Sequence, residues 1–122
     1  MFELKVVADF AAAHQLRNFE GNCEKLHGHN WKVEVTLCGD KLNKAGLLMD
    51  FREIKDATDR VLKELDHSFL NDLPPFKHES PSSENIAAYL YGKLSNELNT
   101  GDRRVSKVTA WESDSACASY AE

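Results

Sequence analysis

Cys23-Glu24-Lys25-Leu26-His27-Gly28-His29 puts two imidazoles two residues apart and a thiol four residues before the first of them. At the start of a strand, period-2 alternation sends His27 and His29 to the same face. Two neutral imidazoles on one face are half a zinc site, and a nearby thiolate is either a further ligand or a nucleophile or base. A His-x-His pair alone is weak evidence, because histidines often pair on surfaces that bind nothing. His14 supplies a third imidazole. Three imidazoles with an open fourth position are the donor set of a catalytic zinc; Cys23 as fourth ligand would close the site and make the metal structural.

Two strands must bring these residues together. In FELKVVADF, Phe2, Leu4, Val6, Ala8 and Phe10 alternate with Glu3, Lys5, Val7 and Asp9, and in HNWKVEVTLCG Trp31, Val33, Val35 and Leu37 alternate with Lys32, Glu34, Thr36 and Cys38. The connection, about Gln15 to Gly28, is polar. An antiparallel pairing sets the end of the first strand beside the start of the second, so His14 meets His27 and His29 at one end of the hairpin. For His14 by itself the ordinary reading is a buried histidine held by a hydrogen bond.

Two helices and two more strands follow. Ile54, Ala57 or Thr58, Val61 and Leu65 recur at helical spacing over Arg52 to Leu65, with Asp50 as N-cap and Glu53 three residues on. Ser68 to Ser80 reads as a loop held extended by Pro74-Pro75. Ser82 caps a second helix whose buried stripe is Ile86, Leu90, Leu94 and Leu98, and which stops before Thr100-Gly101. Val105 to Ser113 and Ala116 to Tyr120 alternate as strands. The order ββααββ predicts a single α+β domain over residues 1–122, an antiparallel four-stranded sheet with two helices packed on one face. Exposed sheet edges in so small a domain predict a homo-oligomer.

Composition narrows the class. The 122 residues suit one core, and the net charge of −5 gives no nucleic-acid surface. No apolar run is long enough to span a bilayer, and Glu3, Lys5 and Asp9 interrupt any leader pattern. Three dispersed cysteines argue against a disulfide framework and for a reducing, cytoplasmic setting. Cys38 and Cys117 read as packed thiols, and His78 as an ordinary loop histidine. Asp66-His67 at a helix end could be a histidine on the helix dipole. Glu112 in an apolar strand asks for a partner, because a carboxylate is seldom buried alone.

Phe10-Ala11-Ala12-Ala13-His14, Cys23-x-x-x-His27-Gly28-His29-Asn30, Met49-Asp50-Phe51, Leu65-Asp66-His67, Asn71-Asp72, Pro81-Ser82-Ser83-Glu84-Asn85 and Glu112 together resemble the 6-pyruvoyl- and 6-carboxy-tetrahydropterin synthase family of the tunnelling fold, from Phe2 to Ala121. The resemblance implies zinc on His14, His27 and His29, with the fourth position left for the substrate. It implies Cys23 as general base, Asp66 and His67 as an acid–base pair, and Glu112 and Ser83 as substrate-binding groups, with Glu112 on the pterin ring and in the proton relay. It also implies trimers stacked into hexamers, with active sites between subunits. The substrate implied is 7,8-dihydroneopterin triphosphate. A carboxylate such as Glu112 suits the two parallel donors of a pterin's guanidine-like edge.

Three residues between the thiol and His-Gly-His resemble the 6-carboxy-tetrahydropterin synthases of queuosine biosynthesis, which release acetaldehyde and triphosphate. A longer gap resembles the pyruvoyl-forming enzymes. Glu24 stands three residues before His27, a spacing with which some relatives form 6-hydroxymethyl-7,8-dihydropterin for folate. Its roles as an exposed loop glutamate or a second acid/base are both open, and with them a dual-function enzyme. The alternative outside enzymology is a zinc- or pterin-binding module, with Cys23 closing a structural metal site.

Overall fold

The computed structural model describes residues 1–16 and 26–122. Strand β1 (Phe2–His14) and strand β2 (His27–Gly39) pair antiparallel along their whole length, from Phe2 opposite Gly39 to His14 opposite His27. Helix α1 (Phe51–Leu62) follows, then a two-residue strand β3 (Ser68–Phe69) and 3-10 turns at Leu70–Asp72 and Pro74–Phe76. Helix α2 (Ser83–Leu98), strand β4 (Arg103–Ser113) and strand β5 (Ala116–Ala121) complete the described chain. The sheet order is β3-β1-β2-β4-β5. Among the described residues no helix is long and apolar enough to cross a membrane.

Each helix begins where its side chains can satisfy the first free N–H groups. The Asp50 carboxylate accepts from Arg52 N at 2.8 Å, and the Ser82 hydroxyl accepts from Asn85 N at 3.1 Å. The stripe Ile86, Leu90, Leu94 and Leu98 of α2 is buried, as are Ile54, Ala57, Thr58 and Val61 of α1. Both helices lie on the face of the sheet that carries Val6, Phe10, Trp31, Val33, Val35 and Leu37, and these residues form one core.

Two departures from simple alternation shape the sheet. The expected four strands are four, but a fifth joins them: Ser68 and Phe69 run parallel to β1 beside Ala12 and Ala13, where the sequence reads as loop. The sheet is therefore mixed. On β4, Thr36 faces Lys107 and Leu37 faces Val105, leaving Ser106 as an extra residue. This bulge lets Val105 and Val108, an odd spacing apart, both reach the core. Cys38 is buried, whereas Cys117, expected to be packed, is exposed because β5 is an edge strand.

Candidate metal and catalytic site

The hairpin register decides the site. Phe10 opposes Trp31, Ala12 opposes His29 and His14 opposes His27, so all of these side chains share the inward face at one end of the sheet. The ring centroids of the three histidines lie 4.7, 5.0 and 4.6 Å apart, each pair edge to face. Fully buried Trp31 packs edge-on against His14 at 5.1 Å and His29 at 5.6 Å, and so forms the floor of the cluster. Glu112 continues the inward row of Val108 and Ala110 on β4 and reaches the histidines from the other side. It lies at a second bulge, where Trp111 opposes Cys117 and Ser113 opposes Ala116.

One Glu112 carboxylate oxygen lies 3.0 Å from His14 Nε2, 3.3 Å from His29 Nε2 and 4.0 Å from His27 Nε2. The four ligand atoms all fall within 4.8 Å of one another. His14 is buried, and its Nδ1 lies 2.8 Å from the Pro81 carbonyl oxygen. A carbonyl only accepts, so Nδ1 carries a proton, and in the neutral ring Nε2 presents a lone pair to the cluster. That lone pair and a carboxylate oxygen at 3.0 Å repel unless a proton or a cation lies between them. Three imidazole nitrogens with a nearby carboxylate, and a ligand histidine whose other nitrogen is held by a backbone carbonyl, fit a bound zinc ion.

Asp66 and His67 lie apart from this cluster, on the outer edge of β1. Asp66 accepts from Ala11 N at 2.9 Å through one carboxylate oxygen and pairs with His67 Nδ1 at 2.9 Å through the other. The Ala11 hydrogen bond, followed by the one from His67, holds the Asp66 carboxyl below the usual carboxylate range. His67 N donates to Ala11 O at 2.6 Å, and His67 itself has φ 56°, left-handed backbone that a non-glycine residue rarely adopts. Its side chain is 82% exposed. His67 and His29 line the same open groove of 430 Å³, together with Ala13, Gly28 and Asn30. Ser83 is the first residue of α2, two positions beyond the carbonyl that holds His14.

The expected general base Cys23, and Glu24 with its open role, lie outside the described residues. Of the others, the histidines and Glu112 come together, while Asp66 and His67 form a separate pair. Sequence reasoning missed the Pro81 carbonyl. A main-chain acceptor leaves no signature in residue type, although the turn before the Ser82 cap marks where such a group could project.

A family model described as 6-pyruvoyl tetrahydropterin synthase matches residues 3–122. The chain belongs to this family. A 6-carboxy-5,6,7,8-tetrahydropterin synthase from Synechocystis is 43% identical over 90 residues, spanning 70% of this chain and 68% of the relative. A dihydroneopterin monophosphate aldolase from Pyrococcus furiosus is 37% identical over 105 residues, spanning 86% and 84%. The solved structure of 6-pyruvoyl tetrahydropterin synthase from Caenorhabditis elegans superposes with a TM-score of 0.87 at 28% identity, covering 99% of this chain and 95% of that one. The fold is accordingly the tunnelling fold, α+β, and the protein is a lyase-type enzyme of the pterin synthase family.

Proposed function

We propose that this enzyme converts 7,8-dihydroneopterin triphosphate and water to 6-carboxy-5,6,7,8-tetrahydropterin, acetaldehyde and triphosphate, as a cytoplasmic step of queuosine biosynthesis. The observation that carries the reading is the convergence of His14, His27 and His29 within a family whose members include several 6-carboxy-tetrahydropterin synthases, at 31–43% identity. Zinc held by the three histidines would supply a Lewis acid for the substrate's side-chain oxygens.

The chain's own residues then divide the work. His14 is fixed in one tautomer by the Pro81 carbonyl, so it offers Nε2 without reorganising. Glu112 has a side chain 34% exposed and can accept two parallel hydrogen bonds from the pterin's guanidine-like edge, with Ser83 as a second substrate-binding group. Cys23 is the general base that removes side-chain protons, and His67, oriented by Asp66, returns one. The exposure of the His67 ring and its place on the sheet edge suit a site completed by a neighbouring subunit. The assembly proposed is a hexamer of two stacked trimers.

A second reading gives the protein a further product, 6-hydroxymethyl-7,8-dihydropterin, formed with Glu24 as acid/base. It is favoured by the relative named as an aldolase, which matches 86% of the chain, and by the Glu24-to-His27 spacing. Incubation of the purified zinc-loaded enzyme with 7,8-dihydroneopterin triphosphate, followed by product identification, separates these readings. The 6-carboxy product is expected. A 6-pyruvoyl product alone would overturn the assignment, and a 6-hydroxymethyl product lost in Glu24→Ala would establish the second activity.

A further inference from the structure

Two motif asparagines have no part in the chemistry above: Asn71 bonds the backbone that directly follows His14, and Asn85 bonds the turn whose carbonyl meets the His14 ring. The Asn71 carboxamide accepts from Gln15 N at 2.9 Å and donates to Gln15 O at 2.7 Å. It thereby acts as one more residue of the edge ladder, extending the pairing of Ser68 and Phe69 with Ala12 and Ala13 past the end of β3. This fixes the peptide that directly follows His14, the point where the chain leaves β1 for the segment carrying Cys23 and Glu24. Asn85, in the first turn of α2, donates to Ser80 O at 2.8 Å, which also accepts from Ser82 N at 2.8 Å. The turn so held contains Pro81, whose carbonyl accepts from His14 Nδ1.

We propose that Asn71 and Asn85 are positioning residues of the metal centre, a pair of carboxamide clamps that fix His14 through its backbone and its ring before any ion binds. The inference rests on the reading of His14, His27 and His29 as zinc ligands. Asn71 sets where the Cα of His14 stands. Asn85 sets where the acceptor for its ring stands. Without either, the imidazole of a residue at the end of a strand gains freedom that metal binding must then remove, and zinc affinity falls even though every ligand is present.

The test uses the full-length protein, stripped of metal and titrated with Zn²⁺ against a chromophoric chelator, with Co²⁺ absorption as a report of geometry. Asn71→Leu and Asn85→Leu are each expected to raise the zinc dissociation constant by about 10–100-fold, the usual effect of losing a group that orients a ligand, and to alter the cobalt spectrum. Asn71→Asp keeps the acceptor for Gln15 N but loses the donor, and should fall between wild type and Asn71→Leu; it also stands in should the leucine variant fold poorly. Asn99 provides the control. Its carboxamide accepts from Val105 N at 2.7 Å at the far end of α2, a tie of the same kind remote from the cluster. Asn99→Leu should leave zinc affinity and the cobalt spectrum unchanged even if it lowers the melting temperature of the metal-free protein. Wild-type affinity and spectrum in the Asn71 and Asn85 variants would overturn the clamp while leaving the zinc reading intact. A wild-type protein that binds no Zn²⁺ would overturn both.

Discussion

His14 and His27 oppose each other at the last rung of the β1–β2 ladder, yet one is buried and the other has a side chain 37% exposed. The difference separates their two roles in variants. His14→Ala leaves the Pro81 carbonyl without its donor in the interior and should cost about 1–3 kcal/mol of stability, besides abolishing tight zinc binding. His27→Ala should weaken zinc comparably but shift the stability of the metal-free protein by no more than about 0.5 kcal/mol. Denaturant melts with and without chelator measure both effects. Equal destabilisation of the metal-free proteins would contradict the asymmetry.

Removal of metal should be visible in stability and in tryptophan fluorescence. A ligand that binds only the folded state stabilises it by about 2.7 kcal/mol at one hundred times its dissociation constant. The melting temperature should therefore rise with free zinc and fall on chelation. Trp31 lies 5.1 Å from the His14 ring and 5.6 Å from the His29 ring, so its emission should change in the same titration. Trp111 is held on the other side of the sheet by Glu34 and by Lys32 over its ring. Trp111→Phe should keep the zinc-dependent signal, and its loss in that variant would disprove the assignment to Trp31.

Glu112 is close enough to the imidazoles to be a fourth ligand and exposed enough to reach a pterin. The two roles predict different outcomes for Glu112→Gln. As pterin anchor, the residue can be replaced with zinc affinity changed by less than about tenfold, while kcat/KM falls by about 100-fold or more, the scale on which loss of a charged hydrogen-bond partner at a reacting centre acts. Zinc titration beside steady-state kinetics decides. We expect the anchor pattern. Loss of zinc in parallel with activity would make Glu112 a ligand.

The part of this site legible in the sequence is the part built on regular repetition. Alternation in β1 and β2 is enough to align His14, His27 and His29, because a full-length hairpin leaves only one end at which they can meet. The Asp50 and Ser82 caps likewise mark both helix starts from local chemistry. Less legible was whatever depends on irregular backbone. The Ser106 bulge cannot be read from the alternation of Val105 to Ser113, which places Val105 and Val108 on opposite faces. Strand β3 escapes because two residues carry no period. The proximity of Glu112 to the histidines was within reach: Val108, Ala110 and Glu112 share a face of β4, but only the register of β4 on β2 tells which end of the sheet Glu112 occupies.

The acid limb of the pH profile should carry the signature of Asp66. Its carboxyl is held down first by the Ala11 N–H and then by His67. A depressed folded-state value means that the group stabilises the fold above the unfolded pKa of about 3.9, and that this contribution is lost as pH falls through the lower, folded value. A carboxyl-carbon NMR titration should place the Asp66 midpoint below that of an unperturbed aspartate. Asp66→Asn should remove this titration and reduce kcat, because His67 loses the partner that orients it. A midpoint at or above the ordinary value would contradict the geometry at Ala11.

His67 combines left-handed backbone with an almost fully exposed ring, so the fold gains little from its side chain while bearing its conformational cost. For a residue other than glycine that conformation costs roughly 1–2 kcal/mol, and glycine avoids it while adding about 0.5–1 kcal/mol of unfolded-state entropy. His67→Gly should therefore range from about as stable as before to roughly 1.5 kcal/mol more stable by the difference of those two terms, less the small contribution of the exposed pair with Asp66. Turnover should nevertheless fall steeply, with zinc affinity unchanged, because His67 lies outside the ligand cluster. His67→Asn is the companion variant, since asparagine tolerates the left-handed region but cannot transfer a proton as imidazole does. Both variants should melt near the wild-type temperature and both should be poor catalysts. A marked loss of stability in His67→Gly would mean that the ring holds the fold together, and full activity in His67→Asn would remove it from the proton transfer.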